Sequence, residues 1–517
     1  MALVSRRSNE RTSMGTISLK NAGHRAGDLL FSNLTLTIAD GDRVGLVAPN
    51  GRGKSTLLRA MAGELELSEG DITRSRGLKL GYVPQDIPPE QLVLSLRDFV
   101  GTGLDAEQLE MEGWRVDVVM EEFSIPEEFR EKPLTQLSGG WQRMALLARC
   151  WVGEPDGLLM DEPTNHLDLS RILALEDWLA YAAKSMPVVI ASHDRAFLDR
   201  VTNRTLFLRP EEQVYLPLPY AAARAELDQV DAAAAVQRER ELKEANQLRK
   251  QAAKLTNIGI NSGSDLLTVK SKQLRDRAEK IESKVQELHR DRTGLVKLGN
   301  SGADARVMMA ISNLVVTTPD GVPLFSIEKL HIFQGDRLVL LGANGAGKSQ
   351  FMRMVTEALA GEVVEGIRLS PQLVPGYMDQ ALAWLPVNRS PLDYLLGRFD
   401  EGDRRTIALL AGAGFAADKQ TKPMATLSLG QRARVALLAL RLAKPNFYLL
   451  DEPTNHLDIP GQEQLEDDIC GQGATAIIVS HDRAFLRSVG TRYLQIKGKR
   501  LVEVDGPENF FAEMGAV

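Results

Sequence analysis

Alternation is the first pattern along the chain. From Gly15 to Asp42 apolar residues return at every second position, Ile17 and Leu19, then Leu34, Leu36 and Ile38, as in antiparallel strands that bury one face. Short unbroken apolar runs follow. Arg43 to Val47, Gly157 to Met160 and Pro187 to Ala191 read as strands buried on both faces. Helical stripes lie between them, at Leu57, Leu58 and Met61 and again at Met144, Leu146 and Leu147. The second half repeats the order, with strands at Arg337 to Leu341, Asn446 to Leu450 and Ala474 to Val479, and a stripe at Val435, Leu437 and Leu438. Buried strands alternating with helices predict an α/β fold.

The repetition is literal at one place. Asp-Glu-Pro-Thr-Asn-His-Leu-Asp occupies Asp161 to Asp168 and recurs at Asp451 to Asp458, 290 residues on. A duplicated domain follows, with one copy over 14–215, the second over 306–517, and a segment of different character over 216–305. In that segment Tyr220 to Leu255 is rich in Ala, Gln, Glu, Arg and Lys, with Ala245, Leu248, Ala252 and Leu255 on one stripe. A polar turn is expected from Asn257 to Ser264. A second stripe follows at Leu274, Ala278, Ile281, Val285 and Leu288, in the four-three spacing of a coiled seam. The expectation is an antiparallel helical hairpin.

Composition narrows the class. The 517 residues are 44% hydrophobic and 25% charged, and no apolar run approaches the ~18 residues of a membrane span. A soluble, cytoplasmic protein is expected. Met1 to Met14 carries Arg6, Arg7 and Arg11 without the apolar stretch of a secretory leader. Cys150 and Cys470 stand alone, too few for a zinc or iron–sulfur site and consistent with a reducing compartment. The net charge of −7 argues against uniform coating of nucleic acid. Locally the sign reverses: Arg238 to Arg292 holds 14 Lys and Arg against 9 Asp and Glu.

The chemistry sits between the apolar runs. After the strand ending at Val47 come Ala48-Pro49-Asn50-Gly51-Arg52-Gly53-Lys54-Ser55-Thr56, and after Leu341 come Gly342-Ala343-Asn344-Gly345-Ala346-Gly347-Lys348-Ser349-Gln350. Glycines at these places let backbone N–H groups face phosphate oxygens; the lysine reaches the outer phosphates and the serine hydroxyl suits magnesium. Two such loops, each about 105 residues before the octapeptide, mark both halves as nucleoside triphosphate sites. Asp161 and Asp451 end a buried strand as magnesium ligands should, and Glu162 and Glu452 follow them as general bases. Each half also has Gly-Tyr-x-x-Gln, ending at Gln85 and Gln380, and a serine with glycine at a helix start: Ser138, Gly139 and Gly140, then Ser428 and Gly430. Ser-His-Asp-Arg-Ala-Phe-Leu closes each half and places His193 and His481 at equivalent strand ends, as phosphate sensors.

Together these stretches resemble the ATP-binding cassette family. The Leu-Ser-Gly-Gly-Trp-Gln signature at 137–142, the Asn-His-Leu-Asp endings and the charged insert are similar to the ABC-F subfamily of tandem ATPases. The resemblance implies two cassette domains joined by a helical hairpin linker, with ATP and Mg²⁺ bound between them in one chain as a monomer. It implies head-to-tail closure: Lys54, Ser55, Gln85, Asp161, Glu162 and His193 with Ser428 and Gly430, and Lys348, Ser349, Gln380, Asp451, Glu452 and His481 with Ser138 and Gly140. It also implies a ribosomal partner, with the linker near rRNA and tRNA, in translation control or in protection from an antibiotic. The competing reading is the ATPase subunit of a membrane transporter, which has no need of a charged hairpin. Ala48, Leu429 and Gln350 depart from the family pattern. The adenine-stacking aromatic is missing, with His24 the nearest candidate in the first half.

Overall fold

The computed structural model describes residues 15–209, 212–262, 265–284, 306–379, 382–455, 457–471 and 473–515. Each half is built on a mainly parallel sheet. In the first the order is Leu80–Val83, Gly157–Asp161, Val188–Ala191, Arg43–Val47, Arg204–Phe207 and Val214–Leu216, the last pair antiparallel. Its central strands are covered on both faces, which is why they read as unbroken apolar runs: every residue from Gly157 to Asp161 and from Val188 to Ala191 is buried. The alternating N-terminal stretch folds as a separate three-stranded antiparallel sheet, Asp28–Ile38 beside Ile17–Ala26 beside Glu69–Arg74.

The second half keeps this order around Arg337–Leu341, with Thr475–Val479 on one side and Arg492–Lys497 on the other. Phe447–Asp451 lies beyond Thr475–Val479, and Pro375–Met378 forms that edge. Here the antiparallel layer is not separate. Ser326 on Pro323–Phe333 bridges to Arg500, so all nine strands make one continuous sheet. In both halves the octapeptide begins on the last residue of a central strand, where parallel sheets present ligand-binding residues.

The intervening segment forms two helices, Tyr220–Ser262 and Asp265–Lys284. They run antiparallel: Thr256 meets Ser271, Arg249 meets Glu282 and Arg277 lies 3.6 Å from Glu244. Small residues line the seam. Ala245, Ala252, Ser271 and Ala278 are buried, and the Ser271 hydroxyl donates to the Ala252 carbonyl at 2.9 Å. The expected turn from Asn257 is corrected, because helix continues to Ser262. A helix already nucleated from Tyr220 propagates through the weakly helical Asn, Gly and Ser residues there, since extension costs far less than nucleation. Val285 and Leu288 of the expected stripe lie outside the described residues.

Candidate active site

The two cassettes face each other across a cavity of about 1310 Å³. One wall carries Asn50, Gly51, Gly53, Lys54, Ser55 and Thr56, with Gln85, Asp161, Glu162 and His193 behind them. Opposite stand Ser428, Leu429 and Gly430 from the other half. The same cavity continues past Asn344, Gly345, Gly347, Lys348, Ser349 and Gln350 to Asp451, Glu452 and His481. Ser138, Gly139 and Gly140 do not line it. They open the helix Gly139–Val152 against His166 and Arg171, where a Cβ on Gly140 would come within 2.7 Å of the Arg171 guanidinium. Gln380 lies outside the described residues.

Two reciprocal contacts hold the halves in register. The Asn50 amide donates to Asp458 at 2.9 Å, and the Asn344 side chain donates to Asp168 at 3.0 Å. The last carboxylate of each octapeptide therefore touches the phosphate loop of the opposite half. Motif spacing left Asp168 and Asp458 unassigned, since an N-cap role explains Asp168 locally: it also accepts from the Arg171 amide.

Loop geometry follows from glycine where backbone torsion demands it. Gly53 and Gly347 have φ of 87° and 103°, and a Cβ on Gly347 would lie 2.9 Å from Leu324. Ala48 is tolerated: it has no positive φ, it is buried, and its carbonyl accepts from Lys54 at 3.0 Å. Glu162 and Glu452 are themselves left-handed, at φ 49° and 50°. Such strain persists only where surroundings fix it, and here each glutamate amide donates to the neighbouring strand, at Ala191 and Val479, both at 2.8 Å.

The electrostatics are those of buried charge. Burial raises the Glu162 and Glu452 carboxyls to about 7 against the pull of Lys54 and of the His481 amide respectively. Asp451 rises to about 6, through burial and then the Glu452 charge. Lys54 and Lys348 are both lowered, again by burial first. Burial also holds the histidines neutral, His481 at about 4 and His193 well below its ordinary range. A neutral His193 Nε2 accepts from the Lys54 ammonium at 2.9 Å. Glu162 Oε1 is then left without a hydrogen bond, as are both oxygens of the buried Asp161.

Those orphaned oxygens suit a hydrated divalent cation. Among the described residues no group of three or more His, Cys, Asp or Glu is arranged as a metal cage. A cation there would depend on substrate phosphates, as magnesium in phosphate loops does. Ala26 and Leu30 in one half, and Thr318 and Leu324 in the other, line the cavity beside the loops, whereas His24 is turned to Ser68. Sequence reading sought an aromatic and passed over these residues. It also missed Arg143, a buried guanidinium that donates to the Pro84 carbonyl at 2.7 Å and to that of Gln85.

Two phosphate loops, two pairs of strand-end carboxylates and the Ser428 signature facing the first of them define a tandem pair of ATP-hydrolysing cassettes. A family model described as "ABC transporter" matches residues 31–165 and 327–455. "ATP-binding protein Uup" of Caulobacter vibrioides is 32% identical over 92% of this chain and 76% of its own length. "ABC transporter F family member 2" of Arabidopsis thaliana is 27% identical over 99% of this chain and 81% of its own. The chain belongs to the ATP-binding cassette family, in its F subfamily, and is an ATPase. An archaeal ribosome recycling factor, aABCE1, solved in complex with the ribosomal stalk protein aP1, shares the fold at TM-score 0.64 and 20% identity, over 96% of this chain and 92% of that one.

Proposed function

We propose that the chain hydrolyses ATP at two composite sites and acts on cytoplasmic ribosomes through its linker, in translation control or in protection from an antibiotic. The observation that carries the composite reading is the reciprocal pair Asp458 to Asn50 and Asp168 to Asn344. Each phosphate loop is held by the opposite half, so opening the interface dismantles both sites. Ser55 with Asp161, and Ser349 with Asp451, would hold Mg²⁺, which would supply positive charge against the charge that develops on the phosphoryl group. Lys54 and Lys348 meet the phosphates. Glu162 and Glu452, raised to about 7, are poised to accept a proton from water near neutral pH. His193 and His481 stay neutral and orient what approaches the glutamates. Gln85 lies beside the first loop, with Gln380 assigned the same role in the second by the repeated motif alone. Ser428 with Gly430 covers the Lys54 site, and Ser138 with Gly139 and Gly140 would reach the Lys348 site only on further closure.

The ribosomal part rests on the linker. Lys250, Lys254, Lys270 and Lys272 are exposed near the closed end of the hairpin, in a segment of reversed charge. Phosphate contacts by such residues attract RNA at one place on an otherwise acidic protein. The fold shared with an archaeal ribosome recycling factor adds support. No helix among the described residues is long and apolar enough to cross a membrane, so the transporter-subunit alternative would need separate membrane partners. The test is co-sedimentation of a Glu162→Gln, Glu452→Gln chain with ATP, on ribosomes and on membranes. Ribosome binding is expected, with a log–log salt slope that falls by about 0.7–0.9 for each linker lysine changed to glutamine. Recovery with membranes, or a slope unmoved by the lysine changes, would return the linker to a solvated spacer.

A further inference from the structure

One helix of the second cassette, Ile459–Gly471, with its N-cap Asp458, reaches the Lys54 phosphate loop, the segment after His193 and the linker by three separate contacts. Its leading carboxylate, Asp458, holds the amide of Asn50 in the phosphate loop. Glu466, two turns further on, pairs with Arg195, two residues after His193, with both side chains largely buried. Glu463 lies 3.3 Å from Arg224, on the first linker helix. Tyr220 and Leu227 of that helix share a core with Ile459, and all three border a small cavity beside Ala48 and Pro49.

The mirror helix, Leu169–Ala182, repeats only two of the three. Asp168 bonds Asn344, and Glu176 pairs with Arg483, two residues after His481. The third place is taken by the C-terminal helix Glu508–Gly515, whose Phe510 and Phe511 share a core with Leu169 and Leu173. The other ion partner of Glu176 is Arg200, from the first cassette itself. Among the described residues no linker side chain takes part.

We propose that Arg195 and Arg224 are positioning residues for the ATP site on Lys54, so that the linker helix is mechanically part of that site and bears on the one on Lys348 only indirectly. A shift of the linker's first turns is passed through Glu463 to the helix, through Asp458 to Asn50 and through Glu466 and Arg195 to His193. The proposal rests on the composite-site reading.

Single-turnover hydrolysis of labelled ATP separates the two. In the full chain, Glu452→Gln leaves the Lys54 site to be measured and Glu162→Gln leaves the Lys348 site. Ser428→Ala in the Glu452→Gln chain tests the composite reading alone: if hydrolysis at the Lys54 site is unchanged, that reading fails whatever Arg224 does. Adding Arg224→Glu is expected to slow hydrolysis roughly fivefold in the Glu452→Gln chain and under twofold in the Glu162→Gln chain. Exchanging the charges, Arg224→Glu with Glu463→Arg, should recover most of the loss, which a merely unfolded helix would not. Arg224→Gln, milder for folding, should give the same site preference at smaller amplitude. Equal slowing in both chains, or none in either, overturns the assignment.

Discussion

The two nucleotide sites carry matching residues and hold them differently. At the first, the Lys54 ammonium bonds His193, and the His193 ring lies 3.2 Å from Glu162 and 3.0 Å from the Asn50 side chain. Lysine, histidine and glutamate are one connected cluster. At the second, Lys348 turns to the carbonyls of Gly342 and Ala343, at 2.6 and 3.1 Å, and His481 stands 3.7 Å from Glu452. The signatures differ too. Ser428 forms a reciprocal cap with Gln431, whereas Ser138 makes no cap bond, and Trp141, in the place of Gln431, lies between Phe129 and the Arg171 guanidinium. Duplication therefore preserves the lysine, serine, carboxylates and histidine of the two loops and strand ends while the supports around them diverge, and supports decide how readily each site orders for chemistry.

The strongest way to break the comparison is to remove the bases. Glu162→Gln and Glu452→Gln should each lower hydrolysis at their own site by about 10²–10⁴-fold, read as single-turnover rates in the two single variants. A double variant that turns over at the parental rate would sink the assignment of both.

Next in size are the cross-interface arginines. Arg483→Ala strands Glu176, which is fully buried, and should cost roughly 3 kcal/mol in denaturant unfolding, softened by Arg200 at 3.1 Å. Arg195→Ala leaves a Glu466 side chain with 11% exposure and should cost about half as much. Equal losses would mean that burial does not grade the two pairs.

The pH profile tests what the sites share. Both glutamates hold their protons to about 7, so hydrolysis should fall about tenfold per pH unit below that value. Neutral histidines add no second limb: His481 remains uncharged above about 4. For stability the sign is opposite. A carboxyl with an ordinary value of 4.5 and a folded value near 7 binds its proton more tightly when folded, so its contribution is present below 4.5 and is lost as pH rises to about 7. Glutamine at either position should flatten that slope in unfolding measured across this window.

The smallest effect separates the signatures. Ser428→Ala loses a helix cap and should cost about 1 kcal/mol, while Ser138→Ala, with no cap bond to lose, should cost a few tenths. The composite reading adds a crossed pattern: Ser428→Ala slows hydrolysis at Lys54 and Ser138→Ala at Lys348.

Buried strands, phosphate loops and strand-end carboxylates were legible because each is local chemistry: period, glycine torsion and a carboxylate at the end of an apolar run occupy consecutive residues. The octapeptide repeat announced the duplication for the same reason. Tertiary structure decided the rest. Asp458 meets Asn50 across 408 positions and Arg483 meets Glu176 across 307, and no local pattern distinguishes these side chains from surface charges. The helix through Asn257 to Ser262 was misread as a turn because its residues were weighed locally, whereas a long helix nucleated from Tyr220 extends through weak helix formers. Spacing along a chain fixes which groups share a loop or a face. Which half supports which site depends on how two folded surfaces bury charge against each other, and that is settled only when they meet.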